Sequence, residues 1–375
     1  MSLIFNEEQQ MLAESAQKFF ADNSPITRMR KLRDERDATG FSQDLWKQMA
    51  ELGWLGIMLP EEYGGSDMGL RELAVVLMEA GRVLAPEPLL STLLLGANAV
   101  RLSANAAVQS DVLPTVAAGE RLVALAFEET GRFNPYAIAT EAASSGDGYA
   151  ITGEKGYVLD GHVADQMVVL ARTSGASGDR DGLALFLVDT DADGIDVQRT
   201  TMMDGRNATR VTFSSVAVSA DRLLGGADLL DHVLDQATMG LVAEILGMVD
   251  EVFERTIAYL KEREQFGVKI GTFQALRHRA AEMFAELEFS RSLMLDGLSA
   301  IDEKREDAAL SVSAAKAQAS KTARLIAAEG VQMHGGMGMT DELDIGLFLK
   351  RLKAAELALG DETYHQRRFA SLRGY

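Results

Sequence analysis

The feature that most constrains the fold is that the chain changes its periodicity twice. From Asn6 to about Leu113, apolar residues recur at intervals of three and four, which indicates helices. From Arg121 the chain consists of short β-rich runs separated by Gly, Asp and Ser clusters, and from Leu229 it is helical again to its end. Closely spaced strands without helices between them favour an antiparallel sheet or barrel over βαβ units. The order therefore predicts an α+β protein with an N-terminal α-helical domain (1–120), a middle antiparallel β domain (121–228) and a C-terminal α-helical domain (229–375).

Local signals divide the first helical part. Asn6, followed by two glutamates, predicts a capped helix start, because a side-chain oxygen can accept a bond from an early amide and acidic groups suit the positive end of a helix. The segment LPEEYGGSDMG predicts a loop at its proline and its paired glycines. Residues 70–83 predict a further helix that ends before two prolines.

Composition excludes several classes of function. The chain has 37 basic and 56 acidic residues, and its net charge of −19 argues against a nucleic-acid surface. It has no cysteine, which removes disulfides, thiolate metal sites and a cysteine nucleophile and fits a reducing cytoplasm. The five histidines show no HxxxH spacing, so no metal site is expected. No apolar run approaches the roughly 20 residues needed to span a bilayer, and the N-terminus does not resemble a secretory signal. We therefore expect a cytoplasmic location and no membrane partner.

Two motifs in the last domain carry a possible chemistry. The first is Arg263-Glu264-Gln265-Phe266-Gly267 at the end of a long helix, with Phe273-Gln274 at the next helix start; the second is Gln332-Met333-His334-Gly335-Gly336-Met337-Gly338. A glycine cluster lets backbone amides approach a pyrophosphate, and an arginine supplies charge-assisted bonds to it. Taken singly, a helix stop and a solvated arginine explain these residues as well. A dinucleotide-binding GxGxxG is excluded, since a helix rather than a strand precedes the glycines.

Together the two motifs resemble the C-terminal domain of the acyl-CoA dehydrogenases. ELGWLGIMLPEEYGG is similar to the first-domain signature of that family and ITGEKGYVLDGHVADQMVVLAR to its β-domain core, so the resemblance covers nearly the whole chain. It implies the acyl-CoA dehydrogenase-like fold, with a C-terminal four-helix bundle, and FAD as cofactor. It also implies contacts to the ADP half of a flavin held by the neighbouring subunit, from Arg263, Gln265, Phe266, Gln274, Gln332, Gly335 and Gly336.

The family's chemistry needs a glutamate that removes the α-proton of an acyl-CoA while the β-hydride passes to the flavin. In most members this base stands nine residues after an arginine; counting from Arg351 leads to Gly360. Other members place it on the first long helix of the last domain, where this chain has Ala237 in Leu234-Asp235-Gln236-Ala237-Thr238. The glutamate is therefore missing at both family positions.

The residues that would address the flavin ring also depart from the family. Phe127 and Leu159 stand where the family has hydroxyl side chains, and neither can donate a hydrogen bond. Tyr157 keeps an aromatic side chain at the expected face of the ring. The losses concentrate on the ring half of the ligand, while the ADP half is preserved.

Three groups of charged residues remain open to two interpretations. Asp361 and Glu362 are weak candidates for an atypical base, although an exposed acidic pair near a helix end explains them as well. The same holds for the pair Glu128-Glu129. The cluster of Arg367, Arg368 and Arg373 is interpreted as a solvated tail, with a contact to CoA left open.

The end of the chain, from HGGMGMTDELDIG onward, resembles the glutamate-lacking small subunit of heteromeric dehydrogenases, of the pimeloyl-CoA dehydrogenase type. The resemblance implies an acyl-CoA substrate, a large subunit that carries the base and the ring contacts, and electron-transfer flavoprotein as electron acceptor. Two alternatives stay open: a self-sufficient homotetrameric acyl-CoA dehydrogenase, and an acyl-CoA-binding or structural protein without flavin. The acyl group and the number of subunits are not determined by the sequence.

Overall fold

The computed structural model describes residues 4–375, and it confirms the predicted order of helical, sheet and helical parts. The first part contains helices α1 (Glu7–Asn23), α2 (Ile26–Asp34), α3 (Gln43–Glu51), α4 (Leu70–Arg82), α5 (Ala97–Leu102) and α6 (Ala106–Ala117), with a π-helical segment, Leu89–Gly96, before α5. Asn6 caps α1 as predicted, because its side chain accepts a bond from the Gln9 amide at 2.8 Å and the Gln9 side chain returns one at 3.0 Å.

The middle part is one eight-stranded sheet. Its strands are β1 (Val123–Ala126), β2 (Glu141–Ser145), β3 (Gly148–Leu159), β4 (Gln166–Arg172), β5 (Leu183–Asp189), β6 (Ile195–Thr201), β7 (Asn207–Ser219) and β8 (Leu223–Gly225). They lie in the order β6-β7-β3-β2-β4-β5-β8, with β1 beside β4. Most neighbours are antiparallel, as predicted; β1 runs parallel to β4, with Val123 opposite Gln166. Ile151, Val169, Phe186 and Phe213 are fully or almost fully buried in its core.

The last part begins with α7 (Ala227–Glu262), a helix of 36 residues. A short hairpin follows, β9 (Glu264–Gln265) and β10 (Val268–Lys269), and then α8 (Gln274–Asp302), α9 (Ala308–His334), α10 (Ile345–Leu357) and α11 (Glu362–Leu372). The Ala-rich helix α9 buries Ala315, Ala319 and Ala323 completely, so neighbouring helices can approach it closely. No helix within residues 4–375 is both long and apolar enough to cross a membrane.

The chain folds into two compact units that do not follow the order of the sequence. The first contains residues up to 31, 70–85 and 238–375, and the second contains 32–69 and 86–237. Within the first unit, glycines bring α4 and α7 together: a Cβ on Gly247 would lie 1.9 Å from the Met78 carbonyl oxygen, and one on Gly81 2.3 Å from that of Glu244. Such contacts leave no room for a side chain at either position.

Candidate functional site

The residues predicted for the nucleotide half lie at helix ends of the first unit. Arg263 directly follows α7, Gln274 begins α8, and Gln332 lies in the last turn of α9. The remaining positions occupy the hairpin after α7 and the turn after α9. Every one of them is exposed: Arg263, Gln265, Phe266, Gln274, Gln332, Gly335 and Gly336. These residues are called the nucleotide surface below.

Arg263 carries a cation that stays unpaired within the described part of the chain. Its backbone amide donates to the Tyr259 carbonyl at 2.8 Å, and its carbonyl accepts from the Ile270 amide at 2.9 Å. Among residues 4–375, its guanidinium makes no hydrogen bond or ion pair. Five N–H donors are therefore available to an anion. Beside it, the Phe266 ring is 90% exposed and lies 6.1 Å from the Phe273 ring.

The glycine turn after α9 is shaped for close approach. Gly335 has φ +62° and ψ −143°, a conformation that a side chain would strain. A Cβ added at Gly335 or Gly336 would meet nothing within 4 Å, so the space in front of both glycines is open. A Cβ on Gly338 would lie 2.5 Å from the Val331 carbonyl oxygen, which explains that glycine by packing instead.

The ring half differs, since its residues in the second unit are covered by their own chain. The Phe127 side chain is 2% exposed and Leu159 is 8% exposed. The Phe127 ring lies edge-on to Phe133, with centroids 6.2 Å apart. Tyr157 is half-buried and pairs with Glu128 through an isolated β-bridge; burial raises the pKa of its phenol. The two positions at which the resemblance implies a hydroxyl are thus apolar packing positions.

The two glutamates of the pair Glu128-Glu129 lie in different environments. The Glu129 carboxylate accepts from Lys155 Nζ at 2.5 Å and from the Ala139 and Thr140 amides at 2.6 and 3.1 Å, which is a structural role. Lys155 is fully buried, and burial lowers its pKa to about 8. Burial raises the pKa of Glu128 to about 7.

Gly360, at the first family position of the base, cannot accept a side chain without rearrangement. Its φ is +96°, and a Cβ would lie 2.5 Å from Tyr364 Cδ1 and 2.9 Å from His365 Nε2. Lys316, fully buried, donates to the carbonyl oxygens of Gly360 at 2.8 Å and Glu356 at 2.9 Å. The position is therefore occupied by a tightly held turn.

The two weak base candidates have structural partners. Asp361 is the N-cap of α11, and its carboxylate accepts from the Tyr364 amide at 2.8 Å. Glu362 pairs with Arg324 at 2.6 Å and accepts from Gln366 at 3.0 Å. A cap and an ion pair account for both carboxylates.

The second family position of the base carries an alanine, with a hydrogen-bonded glutamine beside it. Ala237 is completely buried. Beside it in the chain, Gln236 Oε1 accepts from Arg101 Nη2 at 2.8 Å and from Asn98 Nδ2 at 3.1 Å.

In the C-terminal arginine cluster, Arg368 donates to Ser313 Oγ at 3.2 Å, which attaches part of that cluster to α9.

Sequence reasoning missed two buried polar groups in the helical part. Lys316 is one, and the other is the pair Arg351 and Glu244, with 3.6 Å between Nη1 and Oε1 and both side chains at most 5% exposed. A single charged residue within an apolar or Ala-rich helical stretch is the signal that could have identified Lys316 and Glu244, whereas Arg351 stands among other charged residues and carries no such signal.

Known proteins resemble this chain over nearly its whole length. Sequence profiles of three domains match the chain: the acyl-CoA dehydrogenase N-terminal domain over residues 6–120, the middle domain over 124–216 and the C-terminal domain over 225–371. A curated relative, the caffeyl-CoA reductase-Etf complex subunit CarC of Acetobacterium woodii, is 28% identical over 354 residues, covering 92% of each chain.

Two solved structures share both the fold and part of the sequence. The structure of a Tcur3481-Tcur3483 steroid ACAD variant is 32% identical, covers 98% of each chain and has a TM-score of 0.89. The ChsE4-ChsE5 complex from Mycobacterium tuberculosis is 26% identical, with 100% of this chain and 99% of that chain covered and a TM-score of 0.91.

Proposed function

Because the chain belongs to the acyl-CoA dehydrogenase family, we propose that it is the base-lacking small subunit of a heteromeric acyl-CoA dehydrogenase and holds the ADP half of FAD. One contrast carries this proposal. The residues for the nucleotide are exposed, with open space before Gly335 and Gly336, whereas Phe127 and Leu159, at the ring positions, are buried by their own chain. A subunit that completes a partner's flavin site needs an exposed nucleotide surface. It does not need accessible side chains at the ring positions.

The nucleotide surface suits a pyrophosphate. The net charge of −19 repels an anion, so a local cation and backbone amides must provide the attraction. Arg263 provides the cation, and the glycine turn leaves its backbone accessible. These residues would bind and orient the ADP half of FAD; the flavin, when bound, supplies the acceptor for the electrons removed from the acyl chain.

The partner would supply what this chain lacks. A turn held by Lys316 stands at the first position of the catalytic glutamate, and a buried alanine stands at the second. The general base and the ring contacts therefore come from a large acyl-CoA dehydrogenase subunit, and the complex oxidises an acyl-CoA thioester between its α and β carbons. In support, the Mycobacterium tuberculosis structure is a complex of two named proteins. The Acetobacterium woodii relative is named as a subunit of a complex with Etf, and we assign electron-transfer flavoprotein as the acceptor for this complex.

Titration of the isolated chain with the two halves of the cofactor tests the proposal. ADP and FAD should bind with similar, weak affinity, measured by calorimetry, while FMN should not bind. The variant Arg263→Ala should raise the dissociation constant for ADP by about 10- to 150-fold, which separates the nucleotide surface from any other site for ADP. Binding of FMN, or ADP binding of wild-type affinity in Arg263→Ala, would contradict the proposed division of the cofactor.

A further inference from the structure

A stacked pair of side chains lies behind the nucleotide surface. His334 is the last residue of α9, directly before Gly335, and Tyr259 lies on α7, one turn before Arg263. Their ring centroids are 4.4 Å apart and their planes differ by 31°. The pair therefore joins the two segments that carry the cation and the glycine turn.

The position of the His334 ring is fixed from the α9 side as well. Its Nδ1 lies 2.7 Å from the Gly330 carbonyl oxygen and, in the neutral ring, donates a hydrogen bond to it. The side chain is only 6% exposed. Burial lowers the pKa of His334, the bond to Gly330 acts against this shift, and the nearby Arg255 guanidinium adds to it.

Close contacts also hold the backbone on both sides of His334. A Cβ on Gly330 would lie 2.7 Å from Val252 Cγ1 on α7, so α9 is held tightly against α7 one turn before His334. A Cβ on Gly338 would lie 3.1 Å from His334 Cβ, so the chain also returns closely against the histidine after the glycine turn. The backbone before and after His334 is therefore held close to its neighbours.

We infer that His334 and Tyr259 are positioning residues for the nucleotide surface, whose stacked rings fix the distance between Arg263 and the Gly335-Gly336 turn. This inference rests on the proposed function. The Arg263 side chain has no partner within residues 4–375, and its backbone amide donates to the Tyr259 carbonyl, so a movement of Tyr259 moves the arginine. The peptide after His334 leads directly into the glycine turn. A pyrophosphate that touches both segments binds well only when their spacing is set in advance.

The role is specific to one half of the cofactor. Loss of the stack should weaken ADP and FAD equally, since both carry the pyrophosphate, and it should not create affinity for FMN. Loss of the energy of one aromatic pair would change the dissociation constant for ADP by about three- to ten-fold.

Calorimetric titration of the full chain with ADP tests this inference. His334→Ala and Tyr259→Leu should each raise the dissociation constant for ADP by about three- to ten-fold. His334→Phe keeps an aromatic ring but loses the bond to Gly330, and it should bind ADP within about two-fold of the wild type. The matched control is Tyr149→Leu, which removes a half-buried tyrosine whose ring centroid lies 4.9 Å from that of Phe186 in the sheet. It should leave ADP binding unchanged. Thermal unfolding of each variant identifies the folded fraction, so that binding is compared per folded molecule.

The outcomes separate the inference from the proposed function. Wild-type protein that binds ADP, together with wild-type affinity in both His334→Ala and Tyr259→Leu, overturns the positioning role alone. Equal weakening in His334→Phe and His334→Ala also overturns it, because the stack would then not be the cause. Failure of the wild type to bind ADP overturns the proposed function itself.

Discussion

Lys316 donates a hydrogen bond from the helical interior to the carbonyl oxygen of Gly360, across 2.8 Å. The same ammonium group also donates to the Glu356 carbonyl and to Ser320 Oγ, so all three of its donors are used. The turn at the expected position of the catalytic glutamate is thus held from within. It is an ordered structural element in which a side chain at residue 360 has no space.

Restoring the missing glutamate should therefore fail. We expect Gly360→Glu to show no acyl-CoA-dependent turnover and to lower the free energy of unfolding. A positive φ costs a residue with a side chain about 1–2 kcal/mol, and the contacts with Tyr364 and His365 add about 1–3 kcal/mol for overpacking. Urea denaturation measures the loss. The matched control is Gly178, with φ +104° and nothing within 4 Å of a Cβ. Gly178→Ala should cost less than Gly360→Ala, and equal costs would contradict the steric argument.

Asp361 should matter for stability rather than for catalysis. Asp361→Ala removes the cap of α11 and should cost about 0.5–2 kcal/mol of unfolding free energy. Asp361→Asn keeps an oxygen that accepts from the Tyr364 amide and should cost almost nothing. Activity of the reconstituted complex should be unchanged in Asp361→Asn. A loss of turnover in Asp361→Asn with normal stability would identify Asp361 as a base and support the homotetrameric alternative.

His365 should make the stability of the protein sensitive to acid. Burial lowers the pKa of His365 to about 3, and the neighbouring Lys316 and Arg368 charges act in the same direction. Between pH 6.5 and 3 the unfolded chain binds a proton that the folded chain does not. The contribution of His365 is therefore complete above about pH 6.5 and is lost as the pH falls, by up to about 1.4 kcal/mol per unit.

Urea denaturation of the wild type and of His365→Gln at about pH 7 and about pH 5, on either side of the unfolded-state pKa, tests this effect. The wild type should lose more stability than the variant between the two pH values. A variant that loses as much as the wild type would show that His365 does not cause the acid sensitivity.

The fold could be predicted from the sequence because the periodicity of apolar residues and the local composition differ between its helical and its sheet parts. The alternation of helical and strand-like segments and the cap at Asn6 are local properties, and the structure confirms them. The parallel pairing of β1 with β4 was not predicted, since strand periodicity carries no information about which neighbour a strand selects. The π-helical segment Leu89–Gly96 was not predicted either, because an apolar run fits several helix types.

The candidate site was predicted only in its motif residues. Arg263 and the Gly335-Gly336 turn stand in recognisable strings, but two of the three partners of Lys316 lie 40 and 44 residues away in sequence. Only the packing of α9 against the end of α10 brings these groups together. The Tyr259 and His334 stack has the same origin, because each residue alone is an ordinary helix position.

Mutations in the two halves of the flavin site should affect ADP affinity and stability differently. Arg263→Ala should lower the affinity for ADP by about 1.5–3 kcal/mol while changing stability by less than about 0.5 kcal/mol, because the guanidinium is exposed. Arg210→Ala, which removes an exposed arginine paired with Glu154, is the control and should leave ADP binding intact.

Phe127→Ala should have the opposite effects to Arg263→Ala. It should cost about 3–5 kcal/mol of stability and leave ADP affinity per folded molecule unchanged. A large drop in ADP affinity in Phe127→Ala would contradict the assignment of the two halves.

The central claim is that this chain holds part of a flavin site and does not perform the oxidation alone. The direct measurement is the visible spectrum of the purified chain, alone and co-expressed with a large acyl-CoA dehydrogenase subunit, before and after addition of acyl-CoA. We expect the isolated chain to carry much less than one flavin per chain and to show no bleaching, while the complex is yellow and bleaches with substrate. Stoichiometric flavin in the isolated chain, bleached by acyl-CoA, would contradict the account.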